Sequence, residues 1–278
     1  MDKIQIVILA AGLGKRMNNK DIPKALTPLR GKPLISYILS AIKDSGICEK
    51  PAIVVGHKSE LVKRELGSNY IYVDQIEPLS ASDGGMATEV VDLYKDHPTY
   101  KFIPRPELLG TGHAVMKTKD KLKGKADDVM VLYSDQPLVS PKTIKKITTT
   151  HLDSGNVLTM GTVIIPDFNG WREGFYDFGR VIRNQSGKLQ GIIEKKDANN
   201  EQLNIKEINP GYYCFKADWL WQNLDKLKNN NAQGEYYLTD LIDIAFQQGE
   251  EIATVEIDPK EALGVNNEEH LKLIEELI

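Results

Sequence analysis

The chain has 278 residues, 41% hydrophobic and 27% charged, with a formal net charge of −4. That is apolar material enough for one large α/β domain or two smaller ones, and there is no basic field to hold a nucleic-acid backbone. Cys48 and Cys214 have no zinc spacing and fit a reduced, cytoplasmic protein; the first apolar run, IQIVILAAG, is too short to cross a membrane and ends in glycine.

Strand-like and helix-like segments alternate from the start. Ile4–Leu9 reads as a buried strand that runs into Ala10-Ala11-Gly12-Leu13-Gly14-Lys15-Arg16-Met17, followed by Pro23-Lys24-Ala25-Leu26. Glycines let backbone N–H groups approach an anion closely, and Arg16 and Lys24 add charge, so the loop reads as a phosphate site. It lacks the third glycine of the dinucleotide fingerprint and the Gly-Lys-Ser/Thr of the Walker loop. Leu34–Ser45 is expected to be a helix, Ala52–Val55 a strand, Ser59–Leu66 a helix capped by Ser59, and Tyr70–Val73 a strand. Asp74–Tyr100 is a long excursion, read as a lid or surface insertion, with a short helix at Met86–Tyr94. Thr111 is expected to cap a helix reaching Lys119. Its glycine turn, Leu109-Gly110-Thr111-Gly112-His113-Ala114, offers N–H groups to a ligand or is simply a capped start. Val129–Leu132 is a strand and Pro141 opens a helix to about Leu152. Asp135 ends that strand, where α/β sheets bind ligands, and suits Mg²⁺ beside phosphates; the bland reading is a turn aspartate before proline.

The second half changes character. Val157–Ile165, Arg180–Glu194 (turning at Asn184–Gly187) and Ile205–Phe215 read as strands. Ala217–Leu227, Leu238–Gln248 and Glu268–Leu277 read as helices. Asn266 is a candidate neutral oxygen ligand and Asn267 a helix cap. Polar clusters at Phe178–Arg180, Glu194–Asp197, Glu207–Gly211 and Asn231–Tyr237 supply what a sugar would need, or merely face water. His57, His97, His113, His151 and His270 form no metal spacing, so neither zinc nor a catalytic histidine is expected. The fold class is α/β: a Rossmann-like, mostly parallel mixed sheet flanked by helices. It is read as one domain over 1–278, with a nucleotide-binding half to about 155 and a sugar-binding half from about 156.

The pieces LAAGLGKRM, PKAL, GHKSELV, LLGTGHAV, LYSDQPL, FGRVIR, IIEKKDA, EINPGYY, NNNAQGEYYLTD and GVNN stand in order from Leu9 to Asn267. With them the chain resembles the sugar-1-phosphate nucleotidylyltransferases. It looks most like the uridylyltransferase domain of the bacterial bifunctional enzyme that makes UDP-N-acetylglucosamine for the cell wall. The resemblance implies that Leu9, Ala10, Ala11, Gly12, Gly14 and Arg16 hold the nucleotide, that Lys24 lies on the phosphates, and that Gly110 and Thr111 border the base. It implies Asp135 and Asn266 for the catalytic Mg²⁺, with Arg16, Lys24 and Asp135 as the catalytic set. Tyr133, Gly179, Glu194, Asn209 and Thr239 would contact the N-acetylglucosamine part, and Lys195 the sugar phosphate.

Several positions depart from the family. Lys15 replaces its usual Thr and Ser134 its usual Gly. The uracil-reading glutamine falls at Arg105 or is Gln75, depending on where the gap lies. Asp74–Tyr100 and Asn169–Asp177 are longer than the family norm, and no hexapeptide-repeat β-helix follows before Ile278, which points to a monomer or dimer. The implied reaction is uridylyl transfer from UTP to N-acetylglucosamine-1-phosphate, with small-molecule substrates as the only partners. The alternatives are another sugar phosphate or nucleotide, a cytidylyltransferase, and a silent sugar-nucleotide-binding regulator.

Overall fold

The computed structural model describes residues 3–12, 14, 17, 22–56, 58–75 and 109–278. Strand β1 (Ile4–Ala10) is buried along its whole length because helices cover both faces. Ile4, Ile6, Ile8 and Ala10 enter one core, Val7 and Leu9 the other. A small hairpin, β2 (Pro28–Leu29) and β3 (Lys32–Pro33), precedes helix α1 (Leu34–Ser45). Then come β4 (Ala52–Val55), α2 (Ser59–Leu66) and β5 (Ile71–Asp74), where β4 and α2 keep the bounds read from the sequence. Ser59 is not the cap of α2: Lys58, in a left-handed conformation, holds that position and no side chain caps the helix.

The expected helix at Met86–Tyr94, and most of the excursion around it, lies outside the described residues. Helix α3 runs over Gly110–Met116 and a one-turn α4 over Lys119–Leu122. Thr111 does not cap α3; Leu109 precedes the helix, and the Thr111 hydroxyl accepts instead from Leu238 N–H at 3.1 Å. Strand β6 (Asp128–Tyr133) leads to α5 (Pro141–Ser154), which starts at a Ser140 cap and outruns the expected end by two residues.

The second half adds β7 (Leu158–Ile164), β8 (Gly179–Arg183) and β9 (Leu189–Ile193), a short α6 (Asn200–Leu203), β10 (Glu207–Asn209) and β11 (Tyr213–Lys216). The single strand expected over Ile205–Phe215 is thus two, because the chain jogs at Pro210-Gly211-Tyr212. β11 pairs with Leu158–Met160 and β10 with Val163–Ile164 on the same strand, and Gly161 N–H donates to Tyr212 O at 2.8 Å between them. Helices α7 (Ala217–Asn223) and α8 (Asp240–Gln247), strand β12 (Ile252–Glu256) and α9 (Glu268–Leu277) complete the chain.

Among the described residues, all strands but β2 and β3 form one ten-stranded mixed sheet, in the order β5-β4-β1-β6-β11-β7-β10-β8-β9, with β12 also on β7. The pairs β5-β4, β4-β1 and β1-β6 are parallel, and the strands from β11 to β9 pair antiparallel. Helices α1, α5 and α9 cover one face; α3, α7 and α8 cover the other. The chain leaves β1 toward β4 and β5 and later returns with β6 on the opposite side. The strand order therefore reverses between β1 and β6, and a crevice opens at their carboxyl ends.

Candidate active site

Two strand ends meet at that crevice. Ser134 N–H donates to Leu9 O at 3.1 Å, so the chain after β6 emerges beside the chain after β1. The side chains of Leu9, Ala10 and Ala11 are buried in the core, which leaves only their backbone for a ligand. Gly14 lies against Lys24, since a side-chain carbon there would stand 3.2 Å from Lys24 Cβ. Lys24 begins a 3₁₀ turn, Lys24–Leu26, and its ammonium bridges the Asp135 carboxylate and Asn266 Oδ1, the latter at 3.0 Å. Asn266 arrives from the far end of the sequence because Val265 N–H donates to Asp135 O at 2.8 Å. Arg16, Lys15 and Arg105 lie outside the described residues.

The two oxygens facing Lys24 suit a hard divalent cation: one is a carboxylate, one a carboxamide, and they already hold a positive charge between them. Mg²⁺ is commonly bound by one or two carboxylates with substrate phosphates completing its shell. No group of three His, Cys, Asp or Glu poised for a metal occurs among the described residues, so no such all-protein cage competes with this arrangement there.

A second assembly joins two distant motifs. Tyr236 N–H donates to Leu109 O at 2.8 Å, and Gly112 N–H donates to Tyr236 O at 2.8 Å. Gly110 sits at φ +91°, and a side-chain carbon there would meet Glu235 Cβ and Tyr236 O, each at 2.8 Å, so only glycine permits this seam. Gln75 Nε2 donates to Gly110 O at 3.1 Å and lies 3.2 Å from His113 Nδ1. At 4% exposure, Gln75 spends its amide on bracing Gly110 rather than presenting it to solvent.

Five residues expected to contact a sugar, Tyr133, Gly179, Glu194, Asn209 and Thr239, line one cleft of about 270 Å³ with Asp135, Asn266 and Thr111, the last expected beside the base. Thr239 donates its hydroxyl to Glu194 Oε1 at 3.1 Å. Burial raises the Glu194 carboxyl above its ordinary range; Thr239 opposes this, and Asp197 and Glu235 add to it. Burial also raises the Tyr133 phenol, with Glu194 and Asp135 contributing. Asn209 is largely committed within its own turn, its Oδ1 accepting from Gly211 N–H at 3.0 Å and its Nδ2 donating to Tyr213 OH at 2.5 Å. Lys195 is not in the lining. Its ammonium pairs with Asp177 at 2.7 Å and lies over the Tyr176 ring.

The cleft also holds residues that the sequence singles out only as part of a polar cluster or a longer segment. Gln233, Glu235 and Tyr237 lie on the loop that docks on Leu109; Asp177 closes the other side from the longer Asn169–Asp177 segment. Their signal was the polar run Asn231–Tyr237, whose partner only the fold supplies. Gln136 is 4% exposed, donates to Pro210 O at 2.8 Å, and its Oε1 meets no donor among the described residues. His151 is buried between Asp128 and Thr159 at the opposite end of β6, away from the cleft. The described lining contains four carboxylates, Asp135, Asp177, Glu194 and Glu235, and no lysine or arginine. An anionic group therefore belongs at the Lys24 end and hydroxyls or amides belong deeper in.

Among the described residues no helix is long and apolar enough to cross a membrane. The chain is similar to the "Bifunctional protein GlmU" of Acetivibrio thermocellus, 36% identical over 268 residues that make up 96% of this chain and 50% of that protein. The same-named protein of Clostridium botulinum is 36% identical over 272 residues, 98% of this chain and 51% of that one. The chain thus spans about half the length of the curated relatives it matches. The crystal structure of UDP-glucose pyrophosphorylase complexed with UDP-glucose shares the fold, with a TM-score of 0.68 at 18% identity over 100% of this chain and 98% of that one. The model of the MobA-like NTP transferase domain matches residues 6–173, more than half of the chain. With that match over more than half of its length, the chain belongs to the MobA-like NTP transferase family and is a nucleotidyltransferase.

Proposed function

We propose that the protein transfers a uridylyl group from UTP to N-acetylglucosamine-1-phosphate, releasing pyrophosphate. The observation that carries this reading is the Lys24 ammonium between Asp135 and Asn266, at the mouth of a cleft that continues to Glu194 and Thr239. It sets a cation site for phosphates against a hydroxyl-binding site for a sugar. The similarity to the two GlmU proteins supports nucleotidyl transfer to a sugar-1-phosphate, and the ordered motifs from Leu9 to Asn267 support the choice of sugar and base.

In the reaction, an oxygen of the sugar-1-phosphate bonds to the α-phosphorus of UTP as the bond to pyrophosphate breaks. The nucleophile is already anionic near neutral pH, so no side chain needs to take a proton. What opposes reaction is repulsion between anions and loss of alignment. Asp135 and Asn266 would hold Mg²⁺, which neutralises phosphate charge in the transition state. Lys24, released from Asp135, turns its ammonium to the phosphates, and Arg16 adds a second cation from the glycine loop. Gly12 and Gly14 hold the nucleotide, and Gly110 and Thr111 border the base. Glu194 accepts from sugar hydroxyls with Thr239 fixing its carboxylate, while Gly179, Asn209 and Tyr133 border the ring, and Lys195, on leaving Asp177, reaches the sugar phosphate.

The test is pyrophosphate release from UTP and N-acetylglucosamine-1-phosphate, against panels of sugar phosphates and of UTP, dTTP and CTP. Turnover of this pair above the others, abolished by excess EDTA, is the expected result. Efficient use of another sugar phosphate with no turnover of this one would replace the assignment.

A further inference from the structure

The segment that carries Asn266 is pinned from behind. His270, on the first turn of α9, places Nδ1 3.0 Å from Gly264 O. A carbonyl can only accept, so Nδ1 carries the proton and donates. The His270 backbone N–H donates to Asn267 Oδ1 at 2.8 Å, and Leu271 N–H donates to Asn267 O at 3.1 Å. At its front the segment is tied by Val265 N–H to Asp135 O at 2.8 Å. Gly264-Val265-Asn266-Asn267 is therefore held on both sides of Asn266, toward α9 and toward the strand end that bears Asp135.

The imidazole is itself held. The 3₁₀ segment Gly170–Asp177 packs across it so closely that a side-chain carbon on Gly174 would lie 3.1 Å from His270 Cε1 and 3.3 Å from Nε2. Phe175 of this segment is fully buried. Beside the ring, a cavity of about 240 Å³ shares Gly264 and Phe178 with the catalytic cleft. The extra length at Asn169–Asp177 thus reaches the cation site through one histidine and one carbonyl.

We infer that His270 is a positioning residue for Asn266, and that the Gly170–Asp177 segment is the clamp that fixes its ring. The inference rests on the proposed role of Asn266 as a metal ligand. A neutral carboxamide contributes no net charge to hold a cation, so its value as a ligand depends on being held in place, and groups that orient metal ligands typically matter by tenfold or more in affinity.

The experiment measures Mn²⁺ binding to the full chain by electron paramagnetic resonance, without substrates, in wild type and in Asn266→Ala, His270→Phe, His270→Asn and Gly174→Ala. Phe keeps a ring but has no donor, whereas Asn offers an amide N–H near the place of Nδ1. His270→Phe is expected to weaken Mn²⁺ roughly tenfold, as Asn266→Ala does, and to raise the Mg²⁺ needed for half-maximal rate without changing KM for the sugar phosphate. His270→Asn is expected to recover most of the affinity. Wild-type Mn²⁺ binding in His270→Phe, with Asn266→Ala weakened, overturns the positioning role, as does equal damage in His270→Phe and His270→Asn. Wild-type binding in Asn266→Ala overturns the metal reading and the inference with it. If His270→Phe does not fold, Gly174→Ala decides: a several-fold loss supports the clamp and unchanged binding overturns it.

Discussion

Replacing Gly110 by alanine tests the seam between the LLGTGHAV and NNNAQGEYYLTD motifs, and Gly187→Ala is its internal control. Both glycines have positive φ, +91° and +79°. Forcing an L side chain into that region costs roughly 1 kcal/mol in each case. The surroundings differ: nothing lies within 4 Å of a carbon added at Gly187, whereas at Gly110 it would meet Glu235 Cβ and Tyr236 O at 2.8 Å. That oxygen is the acceptor for Gly112 N–H, and Tyr236 N–H pairs with Leu109 O, so relieving the overlap separates a two-bond seam. Each hydrogen bond contributes about 1 kcal/mol net, which brings Gly110→Ala to roughly 3 kcal/mol. For a chain of this size, calorimetry should show Tm falling by about 6 °C for Gly110→Ala and about 2 °C for Gly187→Ala. KM for UTP should rise only in Gly110→Ala. Equal losses of stability in the two variants would refute the reasoning, because the steric contribution would then be absent.

Three further outcomes are expected. Asp135→Ala should slow turnover by roughly a hundredfold or more, since losing about 3 kcal/mol of transition-state charge stabilisation has that effect; a near-wild-type rate would leave Asp135 a turn residue only. Glu194→Ala should raise KM for the sugar phosphate roughly tenfold, the consequence of leaving sugar hydroxyls unpaired, while KM for UTP stays within about twofold; equal damage to both would place Glu194 outside the sugar site. Burial pushes the Asp243 carboxyl from 3.8 to about 6 in the folded protein. The folded state therefore holds that proton more tightly than the unfolded chain, and stability declines as pH rises from about 4 to about 6. Asp243→Asn should then be more stable than wild type at pH 7, by about 1 kcal/mol once solvent screening is allowed for, and no more stable at pH 4. Denaturant titrations at the two pH values check this, and a gain of equal size at both would show that charge burial is not the cause.

Much of the frame follows from the sequence alone. β1 is a run of apolar residues with no polar alternation beyond Gln5, which dictates a strand buried on both faces. α1, β4 and α9 have the bounds that apolar spacing and flanking turn residues imply. Asn267 caps α9 as its chemistry requires. The glycine loop, Lys24, Asp135 and Asn266 were all legible as candidates, because phosphate and metal chemistry restricts the residue types that can serve.

Local chemistry could not decide which partner each group finds. Thr111 is a good cap by composition, yet its hydroxyl takes the Leu238 N–H, because docking of the Asn231–Tyr237 loop brings the next residue's donor there. Gln75 has the donor and acceptor of a base reader, but at the end of β5 it lies beside the start of α3 and gives its amide to Gly110 O. The β-rich run at Ile205–Phe215 breaks at Pro210-Gly211-Tyr212, where the ladder along β7 passes from β10 to β11. Asp135, Lys24 and Asn266 are 111 and 242 residues apart along the chain as measured from Lys24. They become one site only because β6 returns beside β1 and the Gly264–Asn267 segment hydrogen-bonds to the end of it. A sequence states which side chains could bind a phosphate or a cation. Which of them share a few ångströms is set by strand order and by backbone hydrogen bonds between distant segments, and these exist only once the sheet has closed.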